Sequence, residues 1–440
     1  MLKSLIILIR TIHRILKFDR MNKRETKIFQ YKRLKKILAH AYKNIPLYQE
    51  KWDKAGFHPD QFRSLDDLSK IPITTKEDLR HLHVKSIIAK NNKNEHENLR
   101  LIGSSGSTGQ KLVVASSESK WDYDVLLSSA HYINKRYNTN IHKALIMLDF
   151  GNRSIESSVE RMLGLIPFIS KRIKTISYKT KPAKIIEILK EYQPDTIYSY
   201  PSTMSLLCHY IEQNNIEVDE LRYVVLTSEV IFKNLRRDIK SIFNATIIGG
   251  YGATEVGVIG YQYGDNDYFD LVSWKNIVEI ENDKFLKGKH LHTLGTVLVT
   301  DLIGFTSPVI RYSGLGDLGK LIEPKRSGFP ALSELHGRKS ILLTSCGGAH
   351  LSPYSLTSYL QEIKSISRFQ IVQSAQTTID LNLEIHEGLK GDLPKSDKTK
   401  INAFFKKILG DKIVVKYHIV DKIKKDGSSH KTSVVISHLD

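Results

Sequence analysis

The chain has 440 residues, with 66 Lys and Arg against 47 Asp and Glu, for a formal net charge of +19. This length exceeds a single core of ~250–300 residues, so one large domain plus a smaller one is expected, and 41% hydrophobic with 26% charged residues reads as an ordinary soluble globular protein. Cys208 and Cys346 lie far apart in unlike contexts, which excludes a disulfide framework and a CxxC pair and points to a reducing cytoplasm; no HExxH spacing occurs among the 17 histidines, so no protein-ligated metal is expected.

In chain order, the N-terminus MLKSLIILIRTIHRILKFDR comes first. Its apolar run Leu5 to Ile9 is broken by Arg10, His13, Arg14 and Lys17. It is too short to span a bilayer, which takes ~20 apolar residues, and it lacks the cleavage site of a secretory signal. On a helix, Leu5, Ile6, Ile9, Ile12 and Leu16 form one apolar stripe flanked by basic residues. Packing of that stripe on the protein's own core is the commoner fate, and peripheral membrane association through residues 1–20 is the other.

Residues 20–56 are basic and periodic, with Leu34, Ile37, Leu38, Ala41 and Tyr42 at helical spacing. Lys70-Ile-Pro-Ile-Thr-Thr-Lys reads as a turn into a helix, with Thr75 as N-cap and Glu77 in the acidic first turn. Strand and helix then alternate: Ala144–Leu148 (strand), Ala183–Tyr192 (helix), Thr196–Ser199 (strand), Thr203–Gln213 (helix), Tyr223–Thr227 (strand), Phe232–Ile242 (helix). The alternation predicts α/β layers on a largely parallel sheet. From about residue 268 strand-like runs dominate, giving a β-rich subdomain. After Gly337-Arg338 a smaller α+β module is expected, with strands near 341–345, 369–373, 379–385, 413–419 and 433–437 and helices near 353–363 and 397–408. The expected division is a large domain over 1–337 and a small hinged domain over 338–440.

Several short motifs punctuate this pattern. Ser104-Ser105-Gly106-Ser107-Thr108-Gly109 lies between the strand-like runs Leu99–Ile102 and Lys111–Ala115. Such a loop offers unhindered N–H groups and hydroxyls to phosphate oxygens, although a plain hairpin turn has the same composition, and the loop matches neither GxxxxGK[ST] nor GxSxG. Tyr251-Gly-Ala-Thr-Glu255 follows the expected strand Ala245–Ile248 and the Gly249-Gly250 pair. There an aromatic ring can stack on a base, Thr254 can bond a phosphate and Glu255 can hold a divalent cation carried by a nucleotide; a turn with a capped helix is the plainer reading. Pro308-Val-Ile-Arg-Tyr-Ser-Gly-Leu-Gly-Asp317 ends on an acid able to bind both hydroxyls of a ribose, and Lys431 stands in the loop Asp426-Gly-Ser-Ser-His-Lys-Thr.

Ordered in this way, the motifs resemble the adenylate-forming superfamily of acyl-CoA synthetases, luciferases and peptide-synthetase adenylation domains. The stretches His40-Ala-Tyr-Lys-Asn-Ile-Pro-Leu-Tyr48, Ile71-Pro-Ile-Thr-Thr-Lys-Glu77 and Tyr200-Pro-Ser202 are similar to the phenylacetate-CoA ligase and CapK-type capsule-biosynthesis branch. The resemblance implies that Ser104 to Gly109 close over the β- and γ-phosphates. Ser228 and Glu229 stand in the adenine-flanking loop, Tyr251 and Gly252 flank the adenine, Thr254 touches the α-phosphate and Glu255 ligates Mg2+. Asp317 would bind the ribose, Arg338 would lie near the nucleotide, and Lys431 would be the mobile lysine of the small domain.

The chain departs from the family pattern in three places. Arg311 to Asp317 is one residue longer than usual, Lys339 and Ser340 follow Arg338 where a hinge Asp is common, and His430 rather than Gly precedes Lys431, with Lys424 and Lys425 as competitors for its role. The implied reaction activates a carboxylic acid with ATP as acyl-adenylate and passes the acyl group to CoA, a carrier thiol, or an amine or hydroxyl, in surface polysaccharide biosynthesis at the inner face of the membrane. The alternatives are an adenylyltransferase that places AMP on a hydroxyl and a non-catalytic nucleotide-binding member. A nucleic-acid partner is not expected, because no RNP-like aromatic motif occurs. The acid pocket is expected around Tyr123–Ala130, Asp149–Gly151 and Tyr198–Ser202, with a small polar or aromatic acid as its occupant.

Overall fold

The computed structural model describes residues 13, 16–18, 20–80, 99–103, 113–117, 133–134, 136–148, 171–282, 294–324, 329–333, 335, 343–348, 350–351, 354–360, 362–385, 391–423 and 434–439. Helix α1 (Lys23–Asn44) opens on a capping box in which Asn22 and Glu25 bond each other's backbone N–H. Its stripe of Leu34, Ile37, Leu38 and Ala41 is fully buried, as the helical spacing predicts. Ile45 takes an extended conformation ahead of Pro46, which starts α2 (Pro46–Lys54) from the first-turn position where proline costs no hydrogen bond. Thr75 caps the short α3 (Lys76–Arg80), its hydroxyl accepting from the Asp78 N–H at 3.2 Å while Asp78 accepts from the Thr75 N–H at 2.7 Å. β1 (Leu99–Gly103) and β2 (Val113–Ser117) pair antiparallel.

The alternating run then builds a parallel block: β3 (Ala144–Leu148), β4 (Ile173–Ser177), α4 (Pro182–Tyr192), β5 (Thr196–Ser199), α5 (Pro201–Gln213), β6 (Tyr223–Thr227), α6 (Lys233–Phe243) and β7 (Thr246–Ala253). Successive side chains of a strand face opposite ways. Thus Val224, Leu226 and Ile247 pack with Ile185, Leu207 and Ile239 of the helices, whereas Val225 and Ile248 join Phe18, Tyr261 and Trp274 on the other face.

Antiparallel strands continue the sheet: β8 (Gly257–Tyr263), β9 (Tyr268–Leu271), β10 (Asn276–Asn282), β11 (Gly295–Asp301), β12 (Leu318–Ile322) and β13 (Ala331–Ser333). Together they form one 11-stranded sheet in the order β10-β11-β12-β13-β9-β8-β7-β6-β5-β3-β4. The apolar face of α1 packs against its antiparallel half, in a core holding Val297, Val299 and Tyr312.

Beyond it, β14 (Leu343–Thr344) and β15 (His350–Leu351) pair antiparallel, followed by α7 (Tyr354–Leu360). β16 (Ile366–Ala375), β17 (Thr378–Ile385), α8 (Lys395–Leu409), β18 (Val414–Ile419) and β19 (Val435–Ser437) complete a module whose sheet order is β18-β17-β16-β19. Ile401, Phe405 and Leu409 of α8 fill its core. This module touches the start of α6: the Phe232 and Phe369 rings lie 5.4 Å apart, Lys233 pairs with Glu362 at 2.8 Å, and the Asn234 amide donates to the Ser367 carbonyl at 2.7 Å.

Two expectations need correction. β7 does not stop at Ile248 but runs on through Gly249, Gly250 and Tyr251 to Ala253, because β8 offers ladder partners from Ile248 to Ala253. Leu16 is 45% exposed, so this member of the N-terminal stripe is not packed on the core; Leu5, Ile6, Ile9 and Ile12 lie outside the described residues. Among the described residues, no helix is long and apolar enough to cross a membrane.

Candidate functional site

The site is built on the β7–β8 hairpin. Ala253 pairs with Gly257, and the Val256 N–H donates to the Ala253 carbonyl at 3.2 Å, closing a tight turn over Thr254-Glu255-Val256. Gly257 exits the turn at φ +76°, in the left-handed region where glycine alone is unstrained. A Cβ on Gly252 would sit 2.5 Å from the Gly257 carbonyl oxygen, so the close approach of the two strands needs that residue bare. The turn sends the Glu255 side chain inward, where it is 6% exposed, and leaves Thr254 half-buried. Beneath the hairpin, the fully buried Lys275 ammonium donates to the Val256 carbonyl, and the Asn276 amide donates to the Val258 carbonyl at 2.9 Å.

The stretch from Arg311 to Asp317 lies against this hairpin. The Tyr312 hydroxyl donates to Glu255 Oε1 at 3.0 Å, and the Tyr251 hydroxyl donates to Asp317 Oδ2 at 2.7 Å. Burial pushes the Tyr251 phenol well above its ordinary pKa, and the neighbouring Asp317 carboxylate and its bond push the same way. The backbone of Tyr312 exchanges bonds with Val299 at 2.9 and 3.1 Å, which fixes where its ring points. Arg311, at φ +43° and buried, donates from Nε to Glu279 Oε1 at 3.1 Å and from Nη1 to the Ile71 carbonyl at 2.5 Å. Its carbonyl also accepts from the Thr74 N–H at 3.0 Å, so one buried guanidinium and its backbone tie the Ile71–Thr75 segment to the sheet beside the site. Burial pushes the Glu279 carboxyl up, and the Arg311 charge and bond oppose that shift.

A second group gathers at the carboxyl ends of β5 and β6, the side of an open α/β sheet where ligands sit. Ser228 has φ +72°, and Glu229 behind it accepts from the Ser202 N–H at 2.8 Å and the Ser202 hydroxyl at 3.0 Å. An acid at the first turn of α5 satisfies backbone donors that Tyr200, the N-cap, leaves without a side-chain partner. Thr227 pairs with Gly250, which brings the Ser228-Glu229 corner next to Tyr251.

The structure therefore brings together Ser228, Glu229, Tyr251, Gly252, Thr254, Glu255 and Asp317, drawn from positions up to 89 apart (228 to 317). Ser104, Ser105, Gly106, Ser107, Thr108, Gly109, Arg338 and Lys431 lie outside the described residues, as do Tyr123–Ala130 and Asp149–Gly151 of the expected pocket. Tyr200 is buried, edge-on to Tyr178 with ring centroids 5.7 Å apart. Sequence reading missed Tyr312, Arg311 and Lys275. A lone Lys in the apolar run Leu271-Val-Ser-Trp-Lys-Asn-Ile-Val278 was the available signal for Lys275.

Among the described residues, no group of three or more His, Cys, Asp and Glu is arranged to hold a metal ion. Glu255 offers a single buried carboxylate with one oxygen engaged by Tyr312, a donor set that fits a hard cation whose remaining oxygen ligands come from a phosphate ligand and water.

Comparison with known proteins gives concordant likenesses. Residues 343–438 match the CapK C-terminal domain. The chain is 26% identical to a phenylacetate-coenzyme A ligase of Pseudomonas putida over 386 residues, covering 84% of this chain and 83% of that one. It is 23% identical to protein CapK of Staphylococcus aureus over 233 residues, covering 51% of this chain and 49% of the relative. Its fold matches the crystal structure of a 2-hydroxyisobutyryl-CoA ligase in the postadenylation state with TM-score 0.73 at 18% identity, covering 92% of this chain and 88% of that one.

Proposed function

The chain belongs to the adenylate-forming superfamily, in its phenylacetate-CoA ligase and CapK-type branch, and from that premise we propose that it joins a carboxylic acid to CoA through an acyl-adenylate. In the first step a carboxylate oxygen attacks the α-phosphorus of ATP, the bond to the β-phosphate oxygen breaks, and pyrophosphate leaves. In the second the CoA sulfur, having lost its proton, attacks the acyl carbon and AMP departs with the bonding pair.

The observation that carries this reading is the pair of hydroxyl–carboxylate bonds, Tyr312 to Glu255 and Tyr251 to Asp317, which lock two motifs into one surface across 57 and 66 residues of sequence. On that surface Tyr251 and Gly252 flank the adenine beside Ser228, Asp317 takes the ribose hydroxyls, and Thr254 meets the α-phosphate. Glu255 is the protein ligand for Mg2+, which neutralises charge on the phosphates when bound. Ser104 to Gly109 hold the β- and γ-phosphates, Arg338 lies near the nucleotide, and Lys431 carries its cation to the α-phosphate and the acid. This assignment divides the chain into a catalytic body over 1–337 and a mobile module over 338–440, which supplies Lys431. The place of action is the cytoplasm, with a surface-polysaccharide acceptor as an alternative to CoA.

Lys339 and Ser340, standing where the family has a hinge acid, favour one second reading: a single-step enzyme that leaves AMP on a hydroxyl. Incubation with ATP, Mg2+, CoA and a panel of aryl, hydroxy and amino acids, followed by mass analysis of products, separates the two. An acyl-CoA with free AMP supports the ligase. A stable AMP ester formed without any thioester overturns it in favour of hydroxyl adenylylation.

A further inference from the structure

The positive charge of this chain is concentrated. The first 54 residues hold 15 of the 66 Lys and Arg but only 4 of the 47 Asp and Glu, so +11 of the +19 net charge sits in about an eighth of the sequence. Helix α1 carries much of it. Its inner stripe is fully buried against the sheet, which fixes the opposite stripe toward solvent. That outer face exposes Arg24, Lys32, Lys35, Lys36 and Lys43, whereas Lys27 stands in line with the buried Leu34 and near Glu323. Glu25 is the one acidic residue of the helix, and its carboxylate is engaged in the capping box. At 22 residues the helix runs a straight line of about 33 Å, a shape that matches a plane.

Apolar groups accompany the charges. Ile28 is 45% exposed in the middle of the basic face. On the flank of α1, Phe18, Phe29, Trp274, Leu302 and Ile303 line an apolar crevice of about 120 Å3, with Lys17 and Arg33 at its rim. Phe18 and Trp274 are stacked at 4.7 Å and both are buried, so their ring faces are spent on each other and offer no platform for a base. Cations interleaved with exposed aliphatics and an apolar slot suit a lipid surface, where a single-stranded nucleic acid would call for exposed aromatic faces.

From this we infer that the outer face of α1 docks on an anionic lipid bilayer. The docking replaces the peripheral association expected of residues 1–20 and assigns it to a folded, buried-backed helix. It does not depend on the ligase chemistry. Basic residues near an anionic surface each strengthen partition about fivefold, so the face as a whole is strong enough to hold the chain at a membrane.

The test is co-sedimentation of the full chain with vesicles of phosphatidylglycerol and phosphatidylcholine at about 3:7, against phosphatidylcholine alone, at about 150 mM salt. Wild type is compared with the fourfold variant Arg24→Glu, Lys32→Glu, Lys35→Glu and Lys36→Glu, which keeps residues 1–20 intact. ATP–pyrophosphate exchange is followed for both proteins without vesicles. Wild type is expected to bind only the anionic vesicles, and the variant to lose more than about 100-fold in partition with exchange unchanged. Wild type that stays in solution overturns the inference, as does a variant that still binds, because the anchor is then residues 1–20. Tighter binding of wild type to duplex RNA or DNA than to the vesicles overturns it too. Vesicle binding by a wild type that shows no exchange with any acid keeps the docking and removes the ligase reading instead.

Discussion

Replacing Tyr312 by Phe removes one oxygen atom from the site and nothing else. The ring stays fixed, because its backbone is paired to Val299 and its edge lies under Gly314, where a Cβ would come within 2.2 Å of the hydroxyl. What is lost is the 3.0 Å bond to Glu255 Oε1, between a fully buried tyrosine and a carboxylate that is 6% exposed. A hydrogen bond to a charged acceptor contributes ~1.5–3 kcal/mol, and water does not replace the donor at a buried site. Tyr312 acts through Glu255 rather than on the substrate. The expected result is therefore a ~10- to 100-fold weaker dependence on Mg2+, read as a higher half-saturating concentration in ATP–pyrophosphate exchange, with a smaller fall in the rate at saturating Mg2+. Direct titration of Mg2+ into the nucleotide-loaded protein checks the same shift without turnover. Unchanged Mg2+ dependence in Tyr312→Phe, with the fold intact by circular dichroism, would refute the positioning role.

Three other substitutions follow from the same geometry. Tyr251→Phe frees Asp317 from its 2.7 Å bond; the KM for ATP rises ~3- to 10-fold with kcat little altered, and an unchanged KM contradicts the ribose assignment. Arg311→Met leaves the half-buried Glu279 without its cation and costs ~3 kcal/mol near neutral pH in denaturant unfolding. Burial shifts the Glu279 carboxyl upward and the lost Arg311 charge no longer opposes that shift; the deficit shrinks as pH falls from neutrality into the carboxylate range, and a deficit that grows there contradicts this. Burial, then the Glu212 charge, raise Asp238 to about 6, so its ionisation weakens the fold as pH climbs from the ordinary carboxylate range through about 6. Asp238→Asn is accordingly more stable than wild type by about 1 kcal/mol at pH 8, after allowance for partial exposure, and equal to it at pH 4.

The parallel half of the sheet was legible because period-two and period-3.6 runs alternate between residues 144 and 243, and the strands Ala144–Leu148, Thr196–Ser199 and Tyr223–Thr227 stand where the pattern puts them. β7 was not legible beyond Ile248. Gly249-Gly250-Tyr251-Gly252 looks like a loop by composition, yet Gly252 is there to admit the opposite strand, and only the ladder with β8 makes the segment extended. The residues of the candidate site were found one motif at a time. Their joining was not, since Tyr312 and Glu255 are 57 positions apart and nothing local announces a bond between them. Arg311 was read as part of a stretch ending at Asp317, whereas its weight in the structure comes from the Ile71–Thr75 segment that it holds through Ile71 and Thr74. Thr75 was legible because a cap is a local device, sealed within three residues.

The measurement that bears most directly on the central claim is ATP–pyrophosphate exchange with Mg2+ across aryl, hydroxy and amino acids, for wild type, Glu255→Gln and Lys431→Ala. Exchange is expected to depend on one class of acid and to fall at least ~100-fold in both variants. Acid-dependent exchange that survives Glu255→Gln unchanged, or its absence in wild type with every acid despite ATP binding, would contradict it.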